Sequence, residues 1–118
     1  MLKVAVLVLA DTESLGDLGR IVNALETVKE CREAGDEVVM VLDGAATRWI
    51  PTLEDEGHPY HALYQSVKDR ISGACAYCAD AFQVTEGVRA AGIPLLDEYD
   101  RHPSIRGLLA DGYRVVSF

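Results

Sequence analysis

The chain has 118 residues, 49% of them hydrophobic and 25% charged, which is typical of one ordinary globular domain that is large enough to bury a core. Its 19 acidic residues outnumber 11 Lys and Arg, and the net charge of -8 disfavours binding to phosphate backbones or anionic membranes. No stretch reaches the roughly 20 apolar residues that a membrane-spanning helix needs. We therefore expect a cytoplasmic protein that binds neither nucleic acid nor membranes.

The first part of the chain predicts a strand, a long helix and a second strand. Residues 3–9 form a continuous apolar run, typical of a strand buried on both faces of a parallel sheet, and we expect no signal peptide there. Apolar residues recur at helical spacing over residues 14–34, and Gly35 is placed to end that helix. Residues 37–42 predict the second strand, and residues 43–51 a loop or short helical turn.

The rest of the chain continues to alternate helices with strands. We predict helices over residues 60–69, 76–91 and 102–112. Strands are predicted over residues 70–74 and 113–117, and an extended segment over residues 93–99. Phe82, Val84 and Val88 are the expected buried side of the helix after the third strand. The alternation predicts a single α/β domain over residues 1–118, with a doubly wound, mainly parallel sheet of about five strands and helices on both faces.

Polar and thiol side chains follow three of the predicted strands. Asp11 and Thr12 come after the first strand, Asp43 after the second, and Cys75 and Cys78 after the third. In a doubly wound sheet, ligands bind at the edge where the strands reach their carboxyl ends. We therefore expect these side chains to lie near one another at that edge.

The two cysteines of Cys75-Ala-Tyr-Cys78 lie between a predicted strand and a predicted helix. A cysteine at a helix N-terminus often has a lowered thiol pKa, because unpaired backbone N–H groups and the helix dipole favour the thiolate. Cys75 is therefore the candidate nucleophile and Cys78 its candidate partner. Two alternatives are a pair of small buried side chains and a dithiol redox couple. Cys31, within the first helix, is expected to be inert.

Two histidines precede the cysteine pair with a similar spacing. His58-x-x-His61 and Cys75-x-x-Cys78 together supply the four nitrogen and sulfur ligands of a tetrahedral zinc site. The alternative is that one histidine stabilises a nearby thiolate, which would place His61 at the same sheet edge. The glycines after the first strand match no phosphate-binding motif, and we expect no cofactor.

With "GACAYCADAF" following a third strand, the sequence resembles the DsrE/DsrF-like family, which includes YchN-like proteins and sulfur-relay subunits. The resemblance covers nearly the whole chain, from the strand-helix-strand of residues 4–46 to the closing "GYRVVSF". It implies the doubly wound fold, homo- or hetero-oligomers such as trimers or hexamers, and, as in the sulfur-relay members, a cysteine that carries sulfur as a persulfide. Cys75 matches that carrier cysteine, and Cys78 matches a second cysteine of some YchN-like members.

The sequence thus predicts a sulfurtransferase-like persulfide carrier whose partners are a protein thiol or persulfide donor and an acceptor. The alternative is a non-catalytic oligomeric binding or scaffold protein. Oligomerisation is also expected from residues 49–64, because one compact core is not expected to cover their large apolar side chains, namely Trp49, Ile50, Tyr60 and Tyr64.

Overall fold

The computed structural model describes residues 1–118, which form five strands and six α-helices. In chain order these are β1 (Lys3–Val8), α1 (Leu15–Glu33), β2 (Glu37–Leu42), α2 (Trp49–Glu54), α3 (His61–Val67), β3 (Ile71–Cys75), α4 (Ala76–Ala81), α5 (Thr85–Ala90), β4 (Leu95–Leu96), α6 (Ile105–Ala110) and β5 (Arg114–Ser117). Short 3₁₀ helices, Gly44–Arg48 and Lys68–Arg70, precede α2 and β3. None of the helices has both the length and the apolar composition that crossing a membrane requires.

The five strands form one parallel sheet in the order β4-β3-β2-β1-β5. The connections from β1 to β4 all step in one direction across the sheet, so right-handed crossovers place α1 to α5 on one face. The connection from β4 to β5 returns across the sheet and places α6 on the other face. The structure therefore confirms the predicted doubly wound α/β domain with helices on both faces.

The main core lies between the sheet and the helices α1 to α5. It takes alternate residues of β1 and β2 and one face of α1, in keeping with the periods of two and 3.6 residues. These residues include Val4, Val6, Val8, Val38, Met40, Leu42, Ile21, Leu25 and Val28. The other face of the sheet is covered more thinly by α6. Val39 and Val41 of the sheet and Leu108 of α6 line a cavity of about 230 Å³ between them.

The segment after β2 is more helical than expected. The predicted loop over residues 43–51 is a 3₁₀ helix followed directly by α2. Pro51 does not interrupt α2, because it lies in the first turn, where its missing N–H costs no helical hydrogen bond. Trp49, Ile50 and Tyr64 are all at least 97% buried within the chain. These three side chains therefore need no oligomer to cover them, and Tyr60 is partly buried against the same core.

The single helix predicted over residues 76–91 is in fact two helices, α4 and α5. Helix α4 ends in a Schellman motif, in which Val84 N–H donates to Ala79 O and Gln83 N–H donates to Asp80 O. This motif requires a left-handed residue, and Gln83 adopts it with φ of 59°. Because glycine usually fills that position, the sequence contains little sign of the break. Phe82, which was expected to be buried, is 39% exposed at this corner.

Strand β4 is shorter than the predicted segment 93–99 and lies unusually close to β3. A Cβ atom on Gly73 would lie 2.5 Å from Leu96 Cγ and 2.7 Å from Pro94 O. Ala74 N–H donates to that same Pro94 O at 2.9 Å, which fixes the two strands at this separation. Position 73 therefore has no room for a side chain.

We predict that Gly73→Ala lowers the free energy of unfolding by about 1–3 kcal/mol, because the added methyl overpacks the contact with β4. The matched control is Gly19→Ala, since Gly19 lies in α1 and a Cβ there meets nothing within 4 Å. That change should leave stability unchanged or raise it by up to about 1 kcal/mol. Urea denaturation measures both, and equal stabilities for the two variants would contradict the close contact.

Candidate functional site

Two of the expected site residues meet because β2 and β3 are parallel neighbours. Leu42 pairs with Ala74, so Asp43 and Cys75, one residue further along each strand, reach the carboxyl edge of the sheet together. Asp43 Oδ1 accepts a hydrogen bond from Gly44 N–H at 2.8 Å and so caps the 3₁₀ helix that follows. The Cys78 thiol donates to the same oxygen at 3.5 Å. The pairing of β2 with β3 thus brings Asp43 close to Cys75 and Cys78, although they follow different strands in the sequence.

Cys75 is the N-cap of α4, as the sequence predicted. Its Sγ accepts a hydrogen bond from Cys78 N–H at 3.3 Å, because the Cys-x-x-Cys spacing places that amide in the first helical turn. The Cys75 side chain is fully buried, whereas Cys78 is partly exposed. All three cysteines are free thiols.

His102 completes the site, and the sequence analysis missed its role. Its Nδ1 lies 3.2 Å from Cys75 Sγ. The sequence pattern predicts only a helix start at this residue, although it follows the fourth strand and so belongs to the same edge of the sheet. That position in the topology was the one signal that could have identified it.

A tight turn presents His102 to the cysteines. Tyr99 and His102 exchange two backbone hydrogen bonds, of 2.9 and 2.7 Å, and the two residues between them have positive φ. Those residues, Asp100 and Arg101, have φ of 48° and 66°, the left-handed pair of a type I′ turn. Tyr77 N–H donates to Arg101 O at 2.9 Å and ties the turn to the start of α4.

Asp43, Cys75, Cys78 and His102 form what we call the edge cluster. Each contributes one carboxylate oxygen, sulfur or ring nitrogen, and these four atoms all lie within 4.8 Å of one another. The cluster combines a base, two thiols and a carboxylate in one partly buried position. Such a set can exchange protons with a thiol, bring two thiols together or coordinate a metal ion.

The environment of Cys75 does not lower its thiol pKa, contrary to the expectation for a helix N-terminus. Burial of the sulfur raises the pKa to about 12, and the Cys78 thiol and the negative charge of Asp43 act in the same direction. The hydrogen bond from Cys78 N–H favours the thiolate, but this effect is outweighed. Cys75 is therefore a neutral thiol near neutral pH unless a partner removes its proton.

Asp11 and Thr12 do not join the edge cluster. Asp11 Oδ1 accepts from Arg48 Nη1 at 3.1 Å and from Thr12 N–H at 2.6 Å. Trp49 Nε1–H donates to Ala10 O at 3.0 Å and holds the same turn against α2. These contacts give Asp11 a structural role at the end of β1.

The zinc ligand set His58, His61, Cys75 and Cys78 is not assembled. The His61 ring forms a hydrogen bond of 2.6 Å with Leu53 O, and His58 packs edge-on against Trp49. Neither histidine belongs to the group of metal-capable side chains that contains the cysteines. His102 therefore occupies the place beside the thiol that the sequence analysis gave to His61.

The chain is 32% identical over 96 residues to "Uncharacterized protein MJ0733" from Methanocaldococcus jannaschii. The alignment covers 81% of this chain and 78% of MJ0733. The chain therefore belongs to the same family as MJ0733. No family model matches the chain, and no solved structure matches it.

We predict that iodoacetamide modifies Cys78 first in the native protein after dialysis against a chelator. Cys75 should react at least tenfold more slowly, because burial and the raised pKa leave very little thiolate at pH 8. Cys31, whose thiol pKa burial also raises, should be slow as well. Peptide mass spectrometry of timed samples measures the three rates, and urea-unfolded protein provides the control in which they converge. Preferential modification of Cys75 would contradict the buried position described above.

Proposed function

We propose that this member of the MJ0733 family is a persulfide carrier in which Cys75 accepts a sulfur atom from a donor persulfide and passes it to an acceptor thiol. The observation that carries the proposal is the distance of 3.2 Å between Cys75 Sγ and His102 Nδ1. A protonated thiol is a poor nucleophile, and an adjacent imidazole is the group that most often activates it. The resemblance to DsrE/DsrF-like sulfur-relay proteins supports the same function.

His102 acts in this proposal as the base that receives the Cys75 proton. The thiolate then attacks the terminal sulfur of a donor persulfide, so that a new S–S bond forms on Cys75 and the donor's S–S bond breaks. The donor sulfur leaves as a thiolate and takes the proton from His102. Cys75 ends as a persulfide and the donor as a thiol, and no outside oxidant or reductant is consumed.

Access to Cys75 requires movement of the turn that carries His102, because the thiol is fully buried. The Tyr77 side chain is exposed, and its ring lies 5.0 Å from the His102 ring beside the cluster. Displacement of these aromatic groups by an incoming segment of the donor would open the thiol. The same cover would exclude water and small thiols from the loaded persulfide.

In this proposal Cys78 discharges the persulfide. Its thiolate would attack the Cys75 sulfur, form the Cys75–Cys78 disulfide and release the outer sulfur as hydrosulfide. A cellular thiol would then reduce the disulfide and return both cysteines to the starting state. The Cys78 thiol is partly exposed and bonded to Asp43, so it is accessible to that reductant.

The proposal also covers the cellular location, the partners and the oligomeric state of the protein. A cytoplasmic location suits three free thiols, because a reducing compartment keeps them unpaired. The partners would be protein thiol or persulfide donors and acceptors. Homo-oligomers, either trimers or hexamers, belong to the proposal through the family resemblance alone.

We predict that metal-free, reduced protein gains the mass of one sulfur atom at Cys75 when it is incubated with a cysteine desulfurase and cysteine. Cys75→Ser should not load, because a hydroxyl is too weakly acidic to replace the thiol. His102→Ala should load about 10² times more slowly, since it lacks the base. Cys78→Ser should load normally and keep its persulfide longer.

Cys31→Ser is the control for loss of a buried thiol far from the edge cluster, and it should load like the unsubstituted chain. Intact-mass and peptide-mass spectra report loading, while circular dichroism confirms that each variant is folded. Equal loading of Cys75→Ser and the unsubstituted protein, or no loading under conditions that charge an established carrier, would refute the proposal and favour a non-catalytic binding protein.

A further inference from the structure

We propose that the edge cluster binds one Zn²⁺ ion in a tetrahedral site formed by Asp43, Cys75, Cys78 and His102. The site would use one carboxylate oxygen, two sulfurs and one ring nitrogen. This inference rests on the arrangement of those four side chains and does not depend on the persulfide function.

The distances within the cluster suit a tetrahedral ion. Zinc bonds of about 2.3 Å to sulfur and about 2.0–2.2 Å to nitrogen or oxygen separate neighbouring ligand atoms by roughly 3.3–3.8 Å. The Cys75 Sγ–His102 Nδ1 distance is 3.2 Å, and the Cys78 Sγ–Asp43 Oδ1 distance is 3.5 Å. With all four ligand atoms within 4.8 Å of one another, only small side-chain shifts are needed to surround an ion.

The types of ligand select among metals. Two sulfurs and an imidazole are soft or intermediate ligands, which favour Zn²⁺ and related transition metals over Mg²⁺ and Ca²⁺. The two sulfurs would bind as thiolates, and with the Asp43 carboxylate they place three negative charges around the dication. The dication would offset two of these three charges, and this attraction favours its binding to the deprotonated cluster.

The backbone holds three of the ligands in place before any ion binds. Asp43 and Cys75 lie side by side at the ends of the neighbouring strands β2 and β3, and Cys78 lies in the first turn of α4. His102 comes from a turn that is closed by two backbone hydrogen bonds and tied to Tyr77. Because the ion would join three separate segments of the chain, its binding should stabilise the native state.

A bound ion would also change the chemistry of Cys75. Coordination draws electron density from the thiolate and holds the sulfur among the other ligands, which makes it a weaker nucleophile. On the persulfide function proposed above, the metal-loaded chain should therefore load sulfur more slowly than the metal-free chain, and metal occupancy would regulate the site.

Titration of the reduced, metal-free full chain with Co²⁺ tests the site directly. We expect the visible bands of tetrahedral Co²⁺ and a thiolate-to-cobalt charge-transfer band, both saturating at one ion per chain. Zn²⁺ should displace the cobalt, abolish the bands and raise the melting temperature. Absence of the charge-transfer band, or octahedral cobalt alone, would overturn the proposal without any variant being needed.

Variants then identify the ligands. His102→Ala and Asp43→Asn should each weaken Zn²⁺ binding by about tenfold or more. His58→Ala and His61→Ala are matched controls and should bind as the unsubstituted chain does, because those rings lie elsewhere. Unchanged affinity in a folded His102→Ala protein would refute the assigned ligand set. Sulfur loading is measured separately in chelated protein, so failure of either function can be told from failure of the other.

Discussion

The close approach of β4 to Gly73 is the contact on which the arrangement of the site depends. A Cβ at position 73 would lie 2.5 Å from Leu96 Cγ, so the two strands pack at this distance only because the residue is glycine. The hydrogen bond from Ala74 N–H to Pro94 O fixes the start of β4 beside the end of β3. The chain leaving β4 then reaches His102, whose Nδ1 lies 3.2 Å from Cys75 Sγ. Wider separation would carry the His102 turn away from the sulfur.

The second constraint is that Cys75 is buried in a neutral form. Its position at the start of α4 supplies an N–H group that favours the thiolate, yet burial and the neighbouring Asp43 outweigh this and raise the thiol pKa to about 12. The cysteine is consequently protected from chance oxidation and alkylation until a base, a substrate or a metal ion acts on it. Each of the two proposals supplies a specific way to remove the Cys75 proton, either transfer to His102 or displacement by a metal ion, and each rests on the positions of the four side chains in the edge cluster.

Much of the fold could be predicted because the signals were local or came from general topology rules. The apolar runs of β1 and β2 identified a parallel sheet, and the rule on carboxyl strand ends brought Asp43 together with the cysteines. The thiol pKa was predicted in the wrong direction because an N-terminal position can be read from sequence, whereas the burial of one sulfur atom depends on distant packing.

Two of the remaining differences arise from residues that adopt uncommon backbone conformations, and a third arises from packing. Gln83 ends α4 in a left-handed conformation, which glycine usually adopts. Because no glycine marks this position, the sequence did not predict the break between α4 and α5. Asp100 and Arg101 form the turn before His102 in the same way. The spacing of His58 and His61 suggested zinc ligands. The packing of α2 and α3 instead places His58 against Trp49 and His61 against Leu53.

The pairing of Cys75 with His102 is the central claim, and the ring nitrogens of the histidines report it most directly. Long-range ¹H–¹⁵N correlation spectra of the metal-free protein give the protonation and tautomer of His58, His61 and His102 separately. Cys75→Ser should shift the Nδ1 signal of His102 and leave the other two rings unchanged, whereas Cys31→Ser should shift none of them. A His102 signal that is unaffected by Cys75→Ser in a folded protein would contradict the account.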